Sequence, residues 1–202
     1  MAKARPKPPD YDGLYKDHRL TITEAKEKVE KALAELFNKD AMLLTLDVTE
    51  ECIVHKFAKY LAPHFGDLHI DVEYNGWGDR HPKHLWRIED EINKRKLARK
   101  EAYPDVLAHW RRYPVNVLVV EVKKSTNTNA DARDIDRFKL LSFTAPELPN
   151  DETFHYHVGL FLEILTGQDI EDRLVAKATW YVDGQIKMKG ICLPPPVAIN
   201  ES

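Results

Sequence analysis

The sequence predicts an α/β domain, in which a mixed β-sheet is flanked by helices. Segments with helical periodicity alternate with apolar, strand-like runs along the chain, and this pattern is typical of a sheet covered by helices. Hydrophobic residues make up 43% of 202 residues, enough for a core that needs no metal or disulfide staple. We expect one domain over 21–193, a flexible arm over 1–20 and a C-terminal tail over 194–202.

The helices are predicted from apolar residues that recur every three or four positions. Ala25, Val29 and Leu33 mark the first helix, and Thr23 is its expected N-cap. The second helix begins after Thr49 and ends before Pro63, with Val54, Phe57 and Leu61 on one face. The predicted helices span 22–38, 50–62 and 130–142, with a charged, helix-compatible stretch over 84–101.

The strands are predicted from alternating or continuous apolar residues. Four consecutive apolar residues, Val117–Val120, are typical of a strand that is buried on both faces. A hairpin is expected to turn at Asp183-Gly184. The predicted strands span 41–46, 68–74, 103–109, 115–123, 153–163 and the two arms of the hairpin over 174–189.

Charged residues on the buried central strand are the most informative feature of the sequence. Glu121 and Lys123 are two positions apart, so they project from the same face of the strand. If 103–109 and 115–123 form a hairpin, Asp105 lies near Glu121. Paired carboxylates form an oxygen site of the kind that Mg²⁺ or Mn²⁺ prefers. The alternative is a salt-bridged strand end that reaches solvent.

These residues resemble the signature of the PD-(D/E)XK nuclease superfamily, which has the restriction-endonuclease-like fold. Pro104-Asp105 is followed, after a 15-residue gap, by Glu121-Val122-Lys123. Further segments resemble a bacterial and phage-type branch in the expected order, so the resemblance covers about 25–165. These segments are 49–61 (TEECIVHKFAKYL), 71–75 (DVEYN), 103–109 (YPDVLAH), 116–124 (NVLVVEVKK), 136–143 (DRFKLLSF) and 156–161 (YHVGLF). The chain departs from the branch at Gly76 and at 110–112 (WRR), where substrate contacts are expected.

The resemblance implies a core in the order αβββαβ, preceded here by an extra N-terminal helix. It also implies that Asp105 and Glu121 ligate Mg²⁺ or Mn²⁺, and that Lys123 positions the attacking water. A glutamate of the core helix completes the acidic cluster. Glu50 fits that place better than Glu51, because it shares a helical face with Val54, although the choice between the two is open at this stage.

Four further residues are weaker candidates, because each has an equally simple structural explanation. Glu73 could support the acidic cluster or lie on a solvated strand face. His109 could contact a phosphate or be a hydrogen-bonded structural histidine. Asp136 and Lys139 are expected near the site, where Lys139 would contact a phosphate unless it is a helix-surface lysine.

The sequence therefore predicts a metal-dependent endonuclease or phosphodiesterase, with DNA favoured over RNA as its substrate. The second hypothesis is a non-catalytic nucleic-acid-binding or assembly module, which the net charge of −3 favours. Substrate form, sequence specificity and endonuclease or exonuclease action stay open, as does a homodimer. No apolar run is long enough for a membrane span, and two distant cysteines suit the reducing cytoplasm.

Overall fold

The structure is a computed structural model of the chain. It describes residues 18–74, 76–77, 81–82, 94, 103–111, 113, 115–146, 154–167 and 176–193. The predicted C-terminal tail lies outside these residues, and so does the stretch over 84–101 apart from Lys94.

Three helices have their bounds within the described residues, and the start of each is capped by a side chain. Their bounds are α1 (Ile22–Thr45), α2 (Glu50–Leu61) and α3 (Ala130–Thr144), and a short 3₁₀ turn (Ala62–His64) follows α2. The predicted cap of α1 at Thr23 is wrong, because Thr21 caps the helix. The Thr21 side chain accepts a hydrogen bond from the Glu24 backbone N–H, and the Glu24 carboxylate accepts from Thr21 N–H in return. This reciprocal capping box satisfies two backbone donors at once.

The strand predicted over 41–46 is wrong, because α1 continues through it to Thr45. Leu44 is buried at 0% exposure and continues the apolar face of the helix. The helix bends at Asp40, whose backbone leaves the helical region with φ −132° and ψ 23°. Lys56 Nζ donates to Asp40 Oδ1 at 3.0 Å, and the Tyr60 hydroxyl donates to Asp40 Oδ2. Packing against α2 therefore redirects α1 without ending it.

The described parts of the chain contain eight strands, and six of them form one sheet. The bounds are β1 (His69–Val72), β2 (Gly76–Trp77), β3 (His81–Pro82), β4 (Val106–Trp110), β5 (Val115–Lys124), β6 (Val158–Ile164), β7 (Ala176–Val182) and β8 (Gln185–Leu193). The main sheet has the order β1-β4-β5-β6-β7-β8, while β2 and β3 pair separately. Of the pairs between the described strands of this sheet, only β5–β6 is parallel, so the sheet is mixed. The expected adjacency of the strands now defined as β1, β4 and β5 is confirmed.

Helices cover both faces of this sheet, which confirms the predicted α/β class. On one face, Val106 and Val120 join a core cluster with apolar residues of α1 and α2. On the other face, Leu107 and Val119 pack with Ile135 and other residues of α3. Because side chains alternate along a strand, Glu121 and Lys123 share the α3 face with Val119. The fold therefore directs the charged residues of β5 towards α3.

The last residues of the expected N-terminal arm contact this domain. Leu20 is buried, and its backbone N–H donates to His157 Nδ1 at 3.1 Å. The His18 ring lies edge-on to Trp110, with 5.3 Å between ring centroids. Residues 18–20 therefore pack against the sheet end next to β6.

Candidate active site

The register of β4 and β5 brings Asp105 next to the charged end of β5. Val106 pairs with Val120 in the antiparallel ladder, so Asp105, just before β4, lies opposite Glu121. Asp105 Oδ2 accepts a hydrogen bond of 2.7 Å from the Val122 backbone N–H. The predicted proximity of Asp105 and Glu121 is confirmed. The hydrogen bond holds the Asp105 carboxylate against the backbone of Val122, the residue between Glu121 and Lys123.

Lys123 is held by two carboxylates from two different helices. Its Nζ lies 2.7 Å from Glu50 Oε1 and 2.9 Å from Asp136 Oδ2. Glu50 Oε2 accepts from Lys124 N–H at 3.1 Å, and from Asn127 Nδ2 at 3.4 Å. Glu50 is the first residue of α2 and directly follows the N-cap Thr49. At this position on the helix, its side chain points towards β5. Between Glu50 and Glu51, the structure therefore selects Glu50 as the partner of the lysine.

Lys139 occupies a second bridging position, between β5 and its own helix. Its Nζ lies 2.8 Å from Glu121 Oε2 and 2.8 Å from Asp136 Oδ1, and it donates to the Tyr103 carbonyl oxygen at 3.0 Å. Asp136 thus contacts both lysines. The sequence assigned no role to Asp136, although its spacing of three residues from Lys139 on a helix is typical of an ion pair.

We name the six charged residues together the acid–lysine cluster. Its members are Glu50, Asp105, Glu121, Asp136, Lys123 and Lys139. Five of them form a continuous chain of four ion pairs in which lysines alternate with carboxylates, and this chain begins at Glu50 and ends at Glu121. With four carboxylates and two ammonium groups, the cluster carries an excess of negative charge when every member is ionised.

Burial and this excess of carboxylates shift the pKa values of the cluster. Burial raises the pKa of Asp105 to about 6, although Lys139 and Lys123 oppose the shift. Burial likewise raises the pKa of Glu121 well above its ordinary value, against the effect of Lys139. Both carboxylates are therefore poorly compensated, because neutral forms are favoured where charge is costly.

Three other members, Lys123, Lys139 and Asp136, keep their charge. Burial lowers the pKa of both lysines, but the nearby carboxylates outweigh it, so the pKa values of Lys123 and Lys139 lie above the usual range. Burial raises the pKa of Asp136, but the two lysines outweigh it and hold that pKa below its usual value. The two ammonium groups and the Asp136 carboxylate are consequently the charged centre of the cluster.

A cavity of about 340 Å³ opens beside the cluster. Asp105, Lys123 and Lys139 line it, together with Glu50 and Asp136. The start of α3 contributes Asn127 and its N-cap Asn129, while Glu51 and Glu73 supply further carboxylates. The cavity therefore combines hard oxygen donors and two lysines with amide groups that can hydrogen-bond a polar ligand.

Glu73 and His109 lie in different surroundings. Glu73 is exposed and follows β1 with a positive φ of 50°, which ends the strand earlier than predicted. It lines the cavity, and its backbone N–H donates to the Asp105 carbonyl oxygen at 3.3 Å. His109 is buried, its Nε2 lies 2.8 Å from Asp71 Oδ2, and its ring packs on Tyr74 with 4.7 Å between centroids. Among the described residues, His109 is not part of the cavity wall, so its contacts are those of a structural histidine.

The donor chemistry of the cluster suits a divalent cation, but the residues that the structure describes form no metal cage in advance. Glu121 is fully buried, and its Oε1 has no hydrogen-bond partner in the described part of the chain. A buried carboxylate oxygen without a partner is costly unless a cation approaches it. Nevertheless, no three Asp, Glu, His or Cys side chains of the described residues are placed to hold a metal ion. The lysines instead lie between the carboxylates.

Comparisons with known proteins add no family to these observations. No protein-family model, no curated protein and no solved structure matches the chain. Within the described ranges, no helix has the length and apolar character needed to cross a membrane.

Proposed function

We propose that the protein is a metal-dependent nuclease that hydrolyses phosphodiester bonds, with DNA favoured over RNA. One observation carries the proposal: the hydrogen bond from Val122 N–H holds the Asp105 carboxylate beside Glu121 and Lys123 at the edge of a cavity. Two carboxylates and a lysine from adjacent strands are the combination that the resemblance to PD-(D/E)XK nucleases implies.

Asp105 and Glu121 would hold the Mg²⁺ or Mn²⁺ ion, because both carry oxygens whose negative charge is poorly compensated. When bound, the ion would polarise a phosphoryl oxygen and acidify a water molecule. Glu50 was expected to be a third ligand, but Lys123, Lys124 N–H and Asn127 engage both of its oxygens. The geometry favours Glu50 as the group that orients Lys123.

Lys123 acts on the water and on the developing charge of the phosphate. Lys123 lines the cavity wall, and Glu50 and Asp136 fix the position of its Nζ. The third acceptor, the Val122 carbonyl oxygen, lies at a longer 3.3 Å, so a water molecule can replace it as the partner of the third N–H group. An ammonium group held in place can donate a hydrogen bond to the water oxygen and can stabilise negative charge on a phosphoryl oxygen. The pKa of Lys123 lies above its usual value, so it acts as a proton-bearing group and not as a general base.

The substrate must approach through a local contact surface. The net charge of the chain is −3, and the exposed carboxylates of Glu51 and Glu73 border the cavity. Unscreened carboxylates repel a polyanion, so we expect the divalent cation and the amides of Asn127 and Asn129 to contribute to substrate binding. A homodimer would supply two sites for duplex cleavage, and the reducing cytoplasm is the proposed compartment.

The test is a cleavage assay on duplex, single-stranded and branched DNA and on RNA, with Mg²⁺ or Mn²⁺. Lys123→Met preserves the length of the side chain and removes the ammonium group. We expect its cleavage rate to fall by on the order of 10² or more, the usual effect of losing one positioned catalytic group. Lys177→Met is the matched control, because Lys177 is 62% exposed and lies on β7.

Cleavage by wild type and Lys177→Met but not by Lys123→Met would support the proposal. Undiminished cleavage by folded Lys123→Met would remove Lys123 from the mechanism, and activity that survives chelation would contradict the metal requirement. Circular dichroism of each variant verifies that it is folded.

One observation favours the alternative, a non-catalytic nucleic-acid-binding or assembly module with this fold. Both lysines of the acid–lysine cluster are ion-paired, and the described residues contain no ready metal cage. This alternative predicts binding of the nucleic-acid panel without cleavage in either metal, and equal binding by wild type and Lys123→Met.

A further inference from the structure

Lys139 lies where a cation would be expected in the acid–lysine cluster. It is 2% exposed, and its Nζ contacts Glu121 Oε2, Asp136 Oδ1 and the Tyr103 carbonyl oxygen at 2.8, 2.8 and 3.0 Å. A lysine ammonium has three N–H donors. The three oxygens engage all of them, so in this arrangement none is left for a substrate phosphate.

The contact between Lys139 and Glu121 involves a proposed metal ligand. Glu121 Oε2 faces Lys139, while Oε1 of the same buried carboxylate has no hydrogen-bond partner among the described residues. We infer that Lys139 is an internal competitor of the divalent cation, whose ammonium neutralises Glu121 and Asp136 when metal is absent and weakens metal binding. This inference rests on the proposed metal site and concerns how that site is regulated.

The physical argument is one of charge. The ammonium of Lys139 repels a divalent cation that binds the same carboxylates, and the low effective dielectric constant of a buried site strengthens this repulsion. Movement of Lys139 towards Asp136 relieves part of this repulsion, since Asp136 already accepts from it. Lys139 therefore sets a threshold concentration of metal, below which the carboxylates remain paired with lysine.

The experiment measures binding of Mn²⁺ alone, without nucleic acid, by isothermal titration calorimetry and by thermal unfolding. Lys139→Met removes the ammonium and retains most of the volume. We expect Lys139→Met to bind Mn²⁺ at least about tenfold more tightly than wild type, on the charge argument above. We also expect a larger Mn²⁺-dependent rise in melting temperature, because a ligand that binds only the folded state stabilises it.

Two further variants control for size and charge. Lys139→Arg keeps a cation in place, so its affinity for Mn²⁺ should stay near that of wild type. Lys177→Met removes a lysine outside the cluster and should not change Mn²⁺ binding. If Lys139→Met fails to fold without metal, Lys139→Gln serves in its place, because the neutral amide still donates hydrogen bonds.

The outcomes separate this inference from the proposed function. Equal or weaker Mn²⁺ binding by the neutral variants would overturn the inference, and cleavage by wild type in the same metal would leave the nuclease proposal standing. Tighter Mn²⁺ binding without cleavage of any nucleic acid would support the inference and contradict the nuclease proposal. No response to Mn²⁺ in any variant would overturn the inference together with the metal site.

Discussion

At the scale of single residues, the charge balance of the acid–lysine cluster decides which substitutions the fold tolerates. Carboxylates are in excess, so removal of a carboxylate relieves repulsion, while removal of a lysine increases it. The raised pKa of Asp105, about 6, reports this excess. Among the described residues, the Asp105 carboxylate accepts one hydrogen bond, at Oδ2 from Val122 N–H, and an asparagine carbonyl can accept the same bond.

Asp105→Asn should stabilise the metal-free protein at pH 7 but not at pH 4. The pKa of Asp105 is about 6 when folded and 3.8 in an unperturbed state, so the folded protein binds more protons between these values. The stability that protonated Asp105 contributes is therefore present below pH 4 and is lost as the pH rises to about 6. The expected gain at pH 7 is on the order of 2 to 3 kcal/mol.

Urea unfolding with chelator at both pH values measures this effect, with Asp134→Asn as the control. Asp134 is an exposed carboxylate on α3, paired with Arg137. An equal change in unfolding free energy at pH 4 and pH 7 would contradict the argument. Mn²⁺ should stabilise the wild-type protein. The Asp105→Asn variant should lose most of that stabilisation, because it lacks a proposed metal ligand.

At the scale of elements, the joint between α1 and α2 holds the helix that carries Glu50. The bend of α1 at Asp40 is joined to α2 by hydrogen bonds from Lys56 and Tyr60. The bond from Tyr60 is the largest cause that lowers the pKa of Asp40, and the same bond raises the pKa of Tyr60 to about 12. The phenol and the carboxylate therefore form a charge-assisted pair between the two helices.

Tyr60→Phe should lower the free energy of unfolding by about 1.5 to 3 kcal/mol, the usual contribution of a hydrogen bond to a charged group. Tyr181→Phe is a matched control, because the buried Tyr181 hydroxyl has no hydrogen-bond partner among the described residues. Its removal should be neutral or slightly stabilising. Chemical denaturation of the two variants gives the comparison, and equal destabilisation would show that the joint contributes nothing specific.

At the scale of the whole molecule, one histidine joins the segment before α1 to the sheet. His157 Nδ1 accepts a hydrogen bond from Leu20 N–H across 137 positions of sequence. An imidazole nitrogen can accept only when it carries no proton. Burial, with a contribution from Arg19, lowers the pKa of His157 to about 4. Protonation of His157 therefore opposes docking of this segment.

Protonation of His157 should destabilise the protein as the pH falls from about 6.5 to 4. The unfolded chain binds more protons in that range, so the stabilising effect of neutral His157 is complete above pH 6.5 and disappears towards pH 4. Because the side chain is partly solvated, we expect a loss of about 1 to 2 kcal/mol. His157→Asn should flatten this part of the pH profile, since asparagine accepts a hydrogen bond without titrating.

Thermal unfolding at pH 4, 5, 6 and 7 measures the profile, with the exposed His155→Asn as control. A profile for His157→Asn as steep as that of wild type would assign the acid sensitivity to other groups. The sign is opposite to that of Asp105, so the two variants should alter the pH dependence of stability in opposite directions.

The sequence by itself determined the elements whose pattern is local. The start of α2 after Thr49 follows from its cap, and β5 follows from its continuous apolar run. The hairpin turn at Asp183-Gly184 is confirmed, because both residues have positive φ, 52° and 65°. Aspartate and glycine are residues that adopt this backbone conformation in tight hairpin turns. The nearness of Asp105 and Glu121 followed from counting positions along two strands. Helical phase favoured Glu50 over Glu51 but left the choice open, and the contact of Glu50 with Lys123 decided it.

Where a segment of the sequence was compatible with more than one local structure, only the tertiary structure decided which one forms. Residues 41–46 are apolar enough for a strand, and packing of Leu44 together with the Asp40 contacts to α2 made them helix. The partners of Lys139 and His109 likewise depend on which side chains converge from distant parts of the chain. Spacing along the sequence determines which face of an element a residue occupies, whereas the pairing of buried charges depends on the packing of the elements around them.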